Sequence, residues 1–180
     1  MAAGEGMTTI WPVSVKLGEL HRGAVHRQLV ADELALVRIA KGLDLVSLGA
    51  LEAAITVKPW MDGASLSVRW RATVTQTCVV TLDPLTQDLQ GNFTVRLLPR
   101  GSPALPEEGS EIDLDPDSED PPDILESDQI DTGAYVIEHL ALEIDPFPRT
   151  PGVEFQAPPA EEPPSPFAVL RRLKDPDPEG

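Results

Sequence analysis

The single cysteine and the three histidines are the side chains of this sequence with the most versatile catalytic and metal-binding chemistry. Cys78 has no second cysteine with which to form an internal disulfide or half of a tetrahedral zinc site. His21, His26 and His139 match no H-E-x-x-H motif and no metal-ligand spacing, and no base accompanies Cys78 in sequence. The sequence therefore predicts no catalytic residue, no metal and no cofactor, with Cys78 as a small, core-facing strand residue.

Alternating aspartates at Asp113, Asp115 and Asp117 resemble the start of a calcium-binding loop. Ser118 stands where such a loop has glycine, and Ile124 where it has its bidentate glutamate. The glycines form neither a dinucleotide-binding nor a P-loop motif. We therefore expect neither a calcium site nor a nucleotide site.

The net charge of the chain is −16, and the negative charge is concentrated in its second half. Residues 1–100 contain ten Lys/Arg and nine Asp/Glu, whereas residues 101–180 contain four and twenty-one. Residues 107–131 contain twelve acidic side chains and no basic one. Because such a stretch repels itself and has little to bury, we predict a mobile acidic insertion over about 101–128. Two roles stay open for it, a solvated loop or an arm that contacts a basic partner.

Apolar periodicity in the first third of the chain predicts strands around one helix. Alternation over 11–17 indicates a half-buried strand. Apolar residues at three- and four-residue spacing over 26–41 predict an amphipathic helix that ends at Gly42. The apolar stretch 45–51 extends the helical region in this interpretation, before another strand begins at 55–57.

The remaining pattern predicts a meander and a second helix. The Asp-Gly pair within 61–63 is typical of a tight hairpin, since it supplies positive backbone angles. Alternation over 65–82 predicts one long strand, and a further strand over 92–97 ends at Pro99. A four-residue repeat over 132–144 predicts the second helix, which prolines then stop. The predicted fold class is α+β, with an antiparallel β-meander or partly closed sheet and two main helices.

The chain divides, by composition, into a short N-terminus, one domain and a tail. We expect residues 1–9 to be flexible, 10–155 to form a single domain, and 156–180 to be a proline-rich tail. The tail contains a basic and apolar island at 165–174, which is either a short docking helix or simply a basic tail segment. Its candidate protein-docking residues are Phe167, Leu170, Arg171, Arg172 and Lys174.

Three segments in fixed order carry a family resemblance. They are T-C-V-V-T-L-D-P-L at 77–85, a strand F-T-V-R-L-L-P at 93–99 and, after the acidic gap, a helix end L-A-L-E-I-D-P-F-P-R-T-P-G-V-E-F at 140–155. Together, over most of 10–155, they resemble the YceD family, which is named for large ribosomal RNA subunit accumulation. The tail segment P-F-A-V-L-R-R-L-K is similar to the end of the alphaproteobacterial branch. The family-motif positions are Cys78, Thr81, Leu82, Pro84, Pro146, Pro148, Arg149, Pro151 and Gly152.

One departure from the family pattern concerns metal. Many members have a C-x-x-C pair within C-x-R-C-L, where this chain has Thr81 in place of the second cysteine and Val80 in place of the arginine. If the pair binds metal in those members, this chain lacks one of the two thiolates required. We therefore expect no zinc here.

The resemblance implies a bacterial, non-enzymatic protein that acts in ribosomal RNA accumulation and ribosome biogenesis. Its expected partner is a large-subunit ribosomal precursor, contacted through RNA, through a basic ribosomal protein, or both. Because net negative charge opposes RNA binding, direct RNA contact must be local. The candidate RNA-contact residues are Arg69, Arg71 and Arg96, which line up across adjacent predicted strands, although ordinary solvated arginines give the same pattern.

Two other functional classes stay open at this point. One is a general protein-interaction adaptor, unrelated to ribosomes, that uses the acidic segment and the C-terminal island. The other is a small redox or hydrolytic enzyme, for which the sequence supplies none of the required groupings. The sequence contains no apolar run long enough to cross a membrane and no secretory signal pattern. We expect a cytoplasmic protein without membrane, DNA or small-molecule partners.

Overall fold

The fold is built on one five-stranded sheet, and the computed structural model describes residues 10–105 and 120–154. In chain order the described elements are β1 (Ser14–Lys16), a 3₁₀ helix (Leu17–Arg22), β2 (Val25–Val30), α1 (Glu33–Gly42), β3 (Ser47–Trp60), β4 (Gly63–Thr77), β5 (Pro84–Pro99), β6 (Asp123–Leu125), β7 (Gln129–Asp131) and α2 (Thr132–Glu143). The strand order in the main sheet is β2-β3-β4-β5-β6. Strands β2 to β5 form an antiparallel meander, and β6 joins β5 in parallel.

One face of this sheet, called the inner face, carries the core. Its strands contribute alternating apolar side chains such as Leu51, Ile55 and Leu66, all almost fully buried. The two helices and the small antiparallel pair β1–β7 supply the remaining buried apolar residues, including Ile39 and Leu140. The inner face is therefore covered by helices and the small sheet, which is a two-layer arrangement.

The opposite side of the sheet, called the outer face, carries the polar residues of each strand. Along β4 these are serines, arginines and threonines, in strict alternation with the buried apolar set. No helix or strand among the described residues packs on this face. The outer face is therefore a polar surface that solvent or a partner can contact.

Several predicted features are confirmed. The fold class is α+β, and the central strands form the predicted meander. The β3–β4 hairpin turns at Met61 and Asp62, inside the predicted turn. Helix α2 covers 132–143 of the predicted 132–144, begins with the Asp131 side chain accepting the Ala134 N–H at 2.9 Å, and ends before Pro146.

The predicted helix at 26–41 is wrong for residues 26–32. Residues 25–30 form β2, which pairs with β3 from Val25↔Val57 to Val30↔Glu52. The helix begins only after Asp32, whose carboxylate accepts the Ala35 N–H at 2.8 Å and so fixes the N-terminus. A short apolar run fits both the helical period and the strand period. Here the pairing with the long neighbouring strand β3 decides in favour of a strand.

Other predicted boundaries also change. Residues 47–51 belong to β3 and not to a helical extension, because they pair with the far end of β4. The predicted strand at 65–82 ends at Thr77, since the chain turns at 79–81. The predicted strand at 11–17 is reduced to β1, and the strand predicted over 92–97 is longer, because β5 starts directly at Pro84.

The sheet is open, so of the two predicted alternatives the meander is confirmed and the partly closed sheet is wrong. Strands β2 and β6 lie at opposite edges and do not pair with each other. Strand β6 lies inside the range 101–128 predicted as a mobile insertion, and its Leu125 is buried. Residues 106–119 of that insertion, residues 1–9 and the tail from residue 155 lie outside the described residues.

Candidate functional site

The predicted RNA-contact arginines all lie on the outer face. Strand β4 places Arg69 opposite Asn92 of β5, and Arg71 opposite Gln90. Arg96 of β5 is opposite Ser65 of β4. All three have the parity that points away from the buried Val68 and Trp70. The structure therefore brings the three arginines onto one surface, as the alternation predicts.

Lys58 belongs to the same surface and was missed by sequence reasoning. It is exposed on β3 and pairs with Ser65, which in turn pairs with Arg96, so one cross-strand row joins Lys58 and Arg96. Two strand spacings separate their backbones by about 10 Å. The signal was available, because Lys58 shares parity with Thr56 and alternates with the buried Ile55 and Val57.

The four cations differ in their immediate partners. Arg71 forms an ion pair with Glu52 of β3, with 2.6 Å between Nη2 and Oε2. The Arg96 guanidinium lies over the Trp60 ring, 5.2 Å from its centroid, which fixes its direction through a cation–π contact. Arg69 is exposed in the middle of the face. Arg71 is thus held by a carboxylate, and Arg96 lies against an aromatic ring.

Charge on the outer face is opposite in sign to that of the whole chain. Across β3, β4 and β5 this face carries Lys58, Arg69, Arg71 and Arg96 against two carboxylates, Glu52 and Asp88. Glu52 is paired with Arg71, and Asp88 accepts a 2.7 Å hydrogen bond from the Thr73 hydroxyl. Both carboxylates lie toward one end of the sheet, and Lys58, Arg69 and Arg96 lie toward the other, where Asp120 and Asp123 beyond β5 line a groove with Arg96. We call Lys58, Arg69 and Arg96 the basic face.

Two family-motif segments that are far apart in sequence form one surface. Residues 76–85 and 144–150 meet at the end of β4, and we call this surface the motif corner. The Gln76 amide donates to the Asp145 carbonyl at 2.9 Å, and the Val79 N–H to the Pro148 carbonyl at 2.9 Å. The Thr150 N–H points at Cys78 Sγ at 3.4 Å. The motif order in sequence gave no sign of this contact.

The remaining motif residues occupy distinct places around the corner. Pro148 is buried, Arg149 is exposed, and Pro84 starts β5 opposite Thr77. Pro151 and Gly152 form a turn at the end of the described residues, with Gly152 at φ 79°. The candidate docking residues Phe167, Leu170, Arg171, Arg172 and Lys174 lie outside the described residues.

Cys78 is fully buried just after β4 ends, in a network of hydrogen bonds. Its N–H donates to the Asp83 carbonyl at 2.9 Å, and its carbonyl accepts from the Leu82 N–H at 2.9 Å. Hydrogen bonds from Thr81, and then from Thr150, lower the pKa of the Cys78 thiol to about 6, against the opposing effect of burial. Thr81, at the position of the second family cysteine, thus stabilises the Cys78 thiolate.

We expect the Cys78 thiolate to form with a midpoint near pH 6, which its ultraviolet absorbance measures directly. An unfolded cysteine has a pKa of about 8.5, so the unfolded state binds more protons between pH 6 and about 8.5. The stability that Cys78 contributes is therefore present above about pH 8.5 and lost as the pH falls through 6. Cys78→Ser is the control, because it removes the only thiol. Thiolate absorbance that rises only near pH 8.5 in the folded protein contradicts this prediction.

Two of the three histidines, His139 and His26, make contacts with different neighbours. His139 of α2 stacks on Phe93 of β5, with ring centroids 3.4 Å apart, and its Nδ1 lies 2.9 Å from the Tyr135 carbonyl. His26 Nδ1 lies 3.0 Å from the Thr56 hydroxyl. Within residues 10–105 and 120–154, no group of three or more His, Cys, Asp or Glu side chains is arranged to hold a metal ion.

The family comparison identifies the protein class. The family model described as "Large ribosomal RNA subunit accumulation protein YceD" matches residues 66–174, more than half of the chain. The chain belongs to the YceD family. The YceD match includes Arg69, Arg71, Arg96 and all of the motif corner, and it begins after the first part of the range that the resemblance covered. No curated protein and no solved structure matches the chain.

The description of the YceD family associates its members with large-subunit ribosomal RNA. A membrane-spanning helix is not found in the part of the chain that the structure describes. The family match therefore supports a ribosome-related role for this YceD protein.

Proposed function

We propose that this chain is a non-catalytic accessory factor in the accumulation of large-subunit ribosomal RNA, and that it binds large-subunit precursors in the cytoplasm through its basic face. The observation that carries the proposal is the local charge reversal: Lys58, Arg69 and Arg96 share one face of an otherwise acidic chain. Lys and Arg side chains bind phosphates by displacing condensed counterions, so a compact cationic patch supplies the affinity.

The geometry of the basic face suits a phosphate backbone. Lys58 and Arg96 are about 10 Å apart across the sheet, and Arg69 follows four residues after Ser65, about 13 Å along β4. Flexible side chains on a flat surface at such spacings reach successive or alternate phosphates of an RNA strand. The chain as a whole has a net charge of −16, so it repels RNA that approaches elsewhere. Binding is thus confined to this face.

The absence of catalysis is part of the proposal. The family is described by an accumulation role and not by a reaction. The Cys78 thiolate is fully buried, and its partners Thr81 and Thr150 are hydrogen-bond donors and not bases. The adaptor alternative depends on the acidic segment and the C-terminal island, most of which lies outside the described residues, so no described contact favours it.

The test is a triple substitution, Lys58→Gln, Arg69→Gln and Arg96→Gln, measured against large-subunit precursor particles and deproteinised large-subunit RNA. If all three cations neutralise phosphates, the slope of log affinity against log salt shrinks by roughly two to three, because each contact contributes somewhat under one. The fold should persist, since surface changes of this kind cost about half a kcal/mol each or less. Arg71→Gln, which releases Glu52, should change the slope by about one or less.

A matched control removes the same charge elsewhere. Lys16, Arg38 and Lys41 are exposed and lie off the outer face, so changing these three to glutamine lowers the net charge equally. This control should leave the salt slope almost unchanged. An equal reduction of the salt slope in both variants would show that only the total charge of the chain matters. An unchanged salt slope in the basic-face variant would refute RNA contact through that face.

A further inference from the structure

We infer that the motif corner is a second docking surface, and that it takes a lysine- or arginine-rich protein segment with apolar anchor side chains. The inference goes beyond the proposed RNA contact, because it concerns a different surface and a different class of partner. The corner lies at the end of β4 where Thr77 pairs with Pro84. It is about 26 Å along that strand from Arg69.

The first observation is a set of large apolar side chains in solvent. Leu82 is 75% exposed, Phe147 68%, Val46 58% and Val79 44%. Val79 is joined to the Phe147 segment by the hydrogen bond from its N–H to the Pro148 carbonyl. Val46 and Val79, with Pro146 and Pro148, line one shallow groove. Leu82 and Phe147 belong to the same two chain segments as Val79, Pro146 and Pro148 of this groove, and exposed apolar residues gathered in one region mark an interaction site more often than scattered ones do.

The second observation is that the backbone is held so as to expose these side chains. Leu82 has φ 63°, a left-handed conformation that costs a non-glycine residue about 1 kcal/mol or more. Two backbone hydrogen bonds through Cys78, one from Leu82 and one to Asp83, enforce it. The Phe147 N–H is fixed by the Asp145 side chain at 2.8 Å. These contacts hold the Leu82 side chain in solvent, where a partner can reach it.

The third observation concerns charge and selects the partner. The segments that form the corner and its groove, residues 44–46, 76–85 and 144–150, carry three exposed carboxylates, Asp44, Asp83 and Asp145, and one exposed cation, Arg149. Nucleic acid is therefore disfavoured at this surface, because phosphates meet carboxylates. A basic segment gains from the carboxylates while its apolar side chains cover Leu82 and Phe147, which satisfies both features at once.

The test uses fluorescence anisotropy of the full chain with short synthetic peptides in which lysines alternate with leucines. Matched peptides replace the lysines with glutamates, or the leucines with serines. The wild-type chain should bind the lysine-leucine peptide best, more weakly as salt rises. Changing Leu82 and Phe147 together to serine should weaken this binding by roughly tenfold or more, because apolar anchors dominate small interfaces.

The control variant is Met61→Ser, in the β3–β4 hairpin. Met61 is 67% exposed and has φ 51°, so it matches Leu82 in exposure and backbone conformation but lies at the opposite end of β4. Peptide affinity should stay within about twofold of the wild type. Asp44→Asn is an independent variant, since asparagine readily adopts the φ of 54° at this position, and it should weaken binding and reduce its salt dependence.

Three outcomes overturn the inference: equal affinity for the glutamate-leucine peptide, unchanged affinity in both the Leu82/Phe147 and the Asp44 variants, or a wild-type dimer in sedimentation that the Leu82/Phe147 variant dissociates. The last outcome would make the corner an interface between copies of this chain. The basic-face variant should bind the peptide normally. Loss of RNA contact in that variant with peptide binding retained, or the reverse, therefore separates failure of the proposed function from failure of this inference.

Discussion

Trp70→Ala is expected to lower the free energy of unfolding by about 3–5 kcal/mol, the range for removing a buried tryptophan. Trp70 is 4% exposed and lies in the centre of the inner face of β4. Its neighbours across the sheet are small, Ala53 on β3 and Gly91 on β5, and this leaves room for the indole. For a chain of this size, such a loss lowers the melting temperature by roughly 10 °C. Urea unfolding followed by far-ultraviolet circular dichroism measures it.

A double-mutant cycle with Gly91 shows whether the effect comes from this packing. A Cβ atom on Gly91 would lie 2.8 Å from Cζ2 of Trp70, so Gly91→Ala alone should cost about 1–3 kcal/mol through overpacking. In the Trp70→Ala background the same change meets an empty space and should cost little. If the two losses of unfolding free energy simply add, the cost of Gly91→Ala does not come from contact with Trp70.

Gly63→Ala is expected to destabilise the protein by about 3 kcal/mol, at the upper end of the overpacking range. A Cβ atom at this position would lie 2.0 Å from the Leu97 carbonyl oxygen and 3.1 Å from the Leu98 Cα. Both are backbone atoms of β5, so strand β5 itself has to move. Thermal and urea unfolding measure the loss.

Met61→Gly, two residues earlier, is the matched control. Met61 and not Gly63 has the positive φ in this hairpin, and glycine relieves that strain. Met61→Gly should therefore be neutral or stabilising by up to about 1 kcal/mol. A stable Gly63→Ala variant would show that β5 does not approach the hairpin as closely as described.

The hairpin shows how a correct prediction can rest on an incomplete reason. The Asp-Gly pair predicts a turn because glycine adopts positive φ, and the turn is there. The glycine, however, is the first residue of β4, and its lack of a side chain is required by the backbone of β5. A contact with a strand more than thirty residues later has no local signal.

The first part of the helix predicted at 26–41 failed for a related reason. Leu29 and Val30 fit a helical spacing, and Leu29 together with Ala31 fits a strand, so local periodicity does not decide between them. Pairing of residues 25–30 with β3 decides in favour of a strand. The same cross-strand pairing moved residues 47–51 from a predicted helix into β3. Long-range pairing overrides local preference when a long partner strand is already in place.

The sequence alone determined what depends on local alternation and composition. The period of two along β4 placed Arg69 and Arg71 opposite Trp70, and the repeat after Asp131 placed α2, because side-chain direction follows from backbone period. Tertiary structure decided what depends on register and on contacts between distant segments. Register paired Arg71 with Glu52 and brought Lys58 into line with Arg96, and folding joined Cys78 and Val79 to the segment around Pro148. Strand register and the meeting of distant segments are set by core packing as a whole, so no local stretch of sequence encodes them.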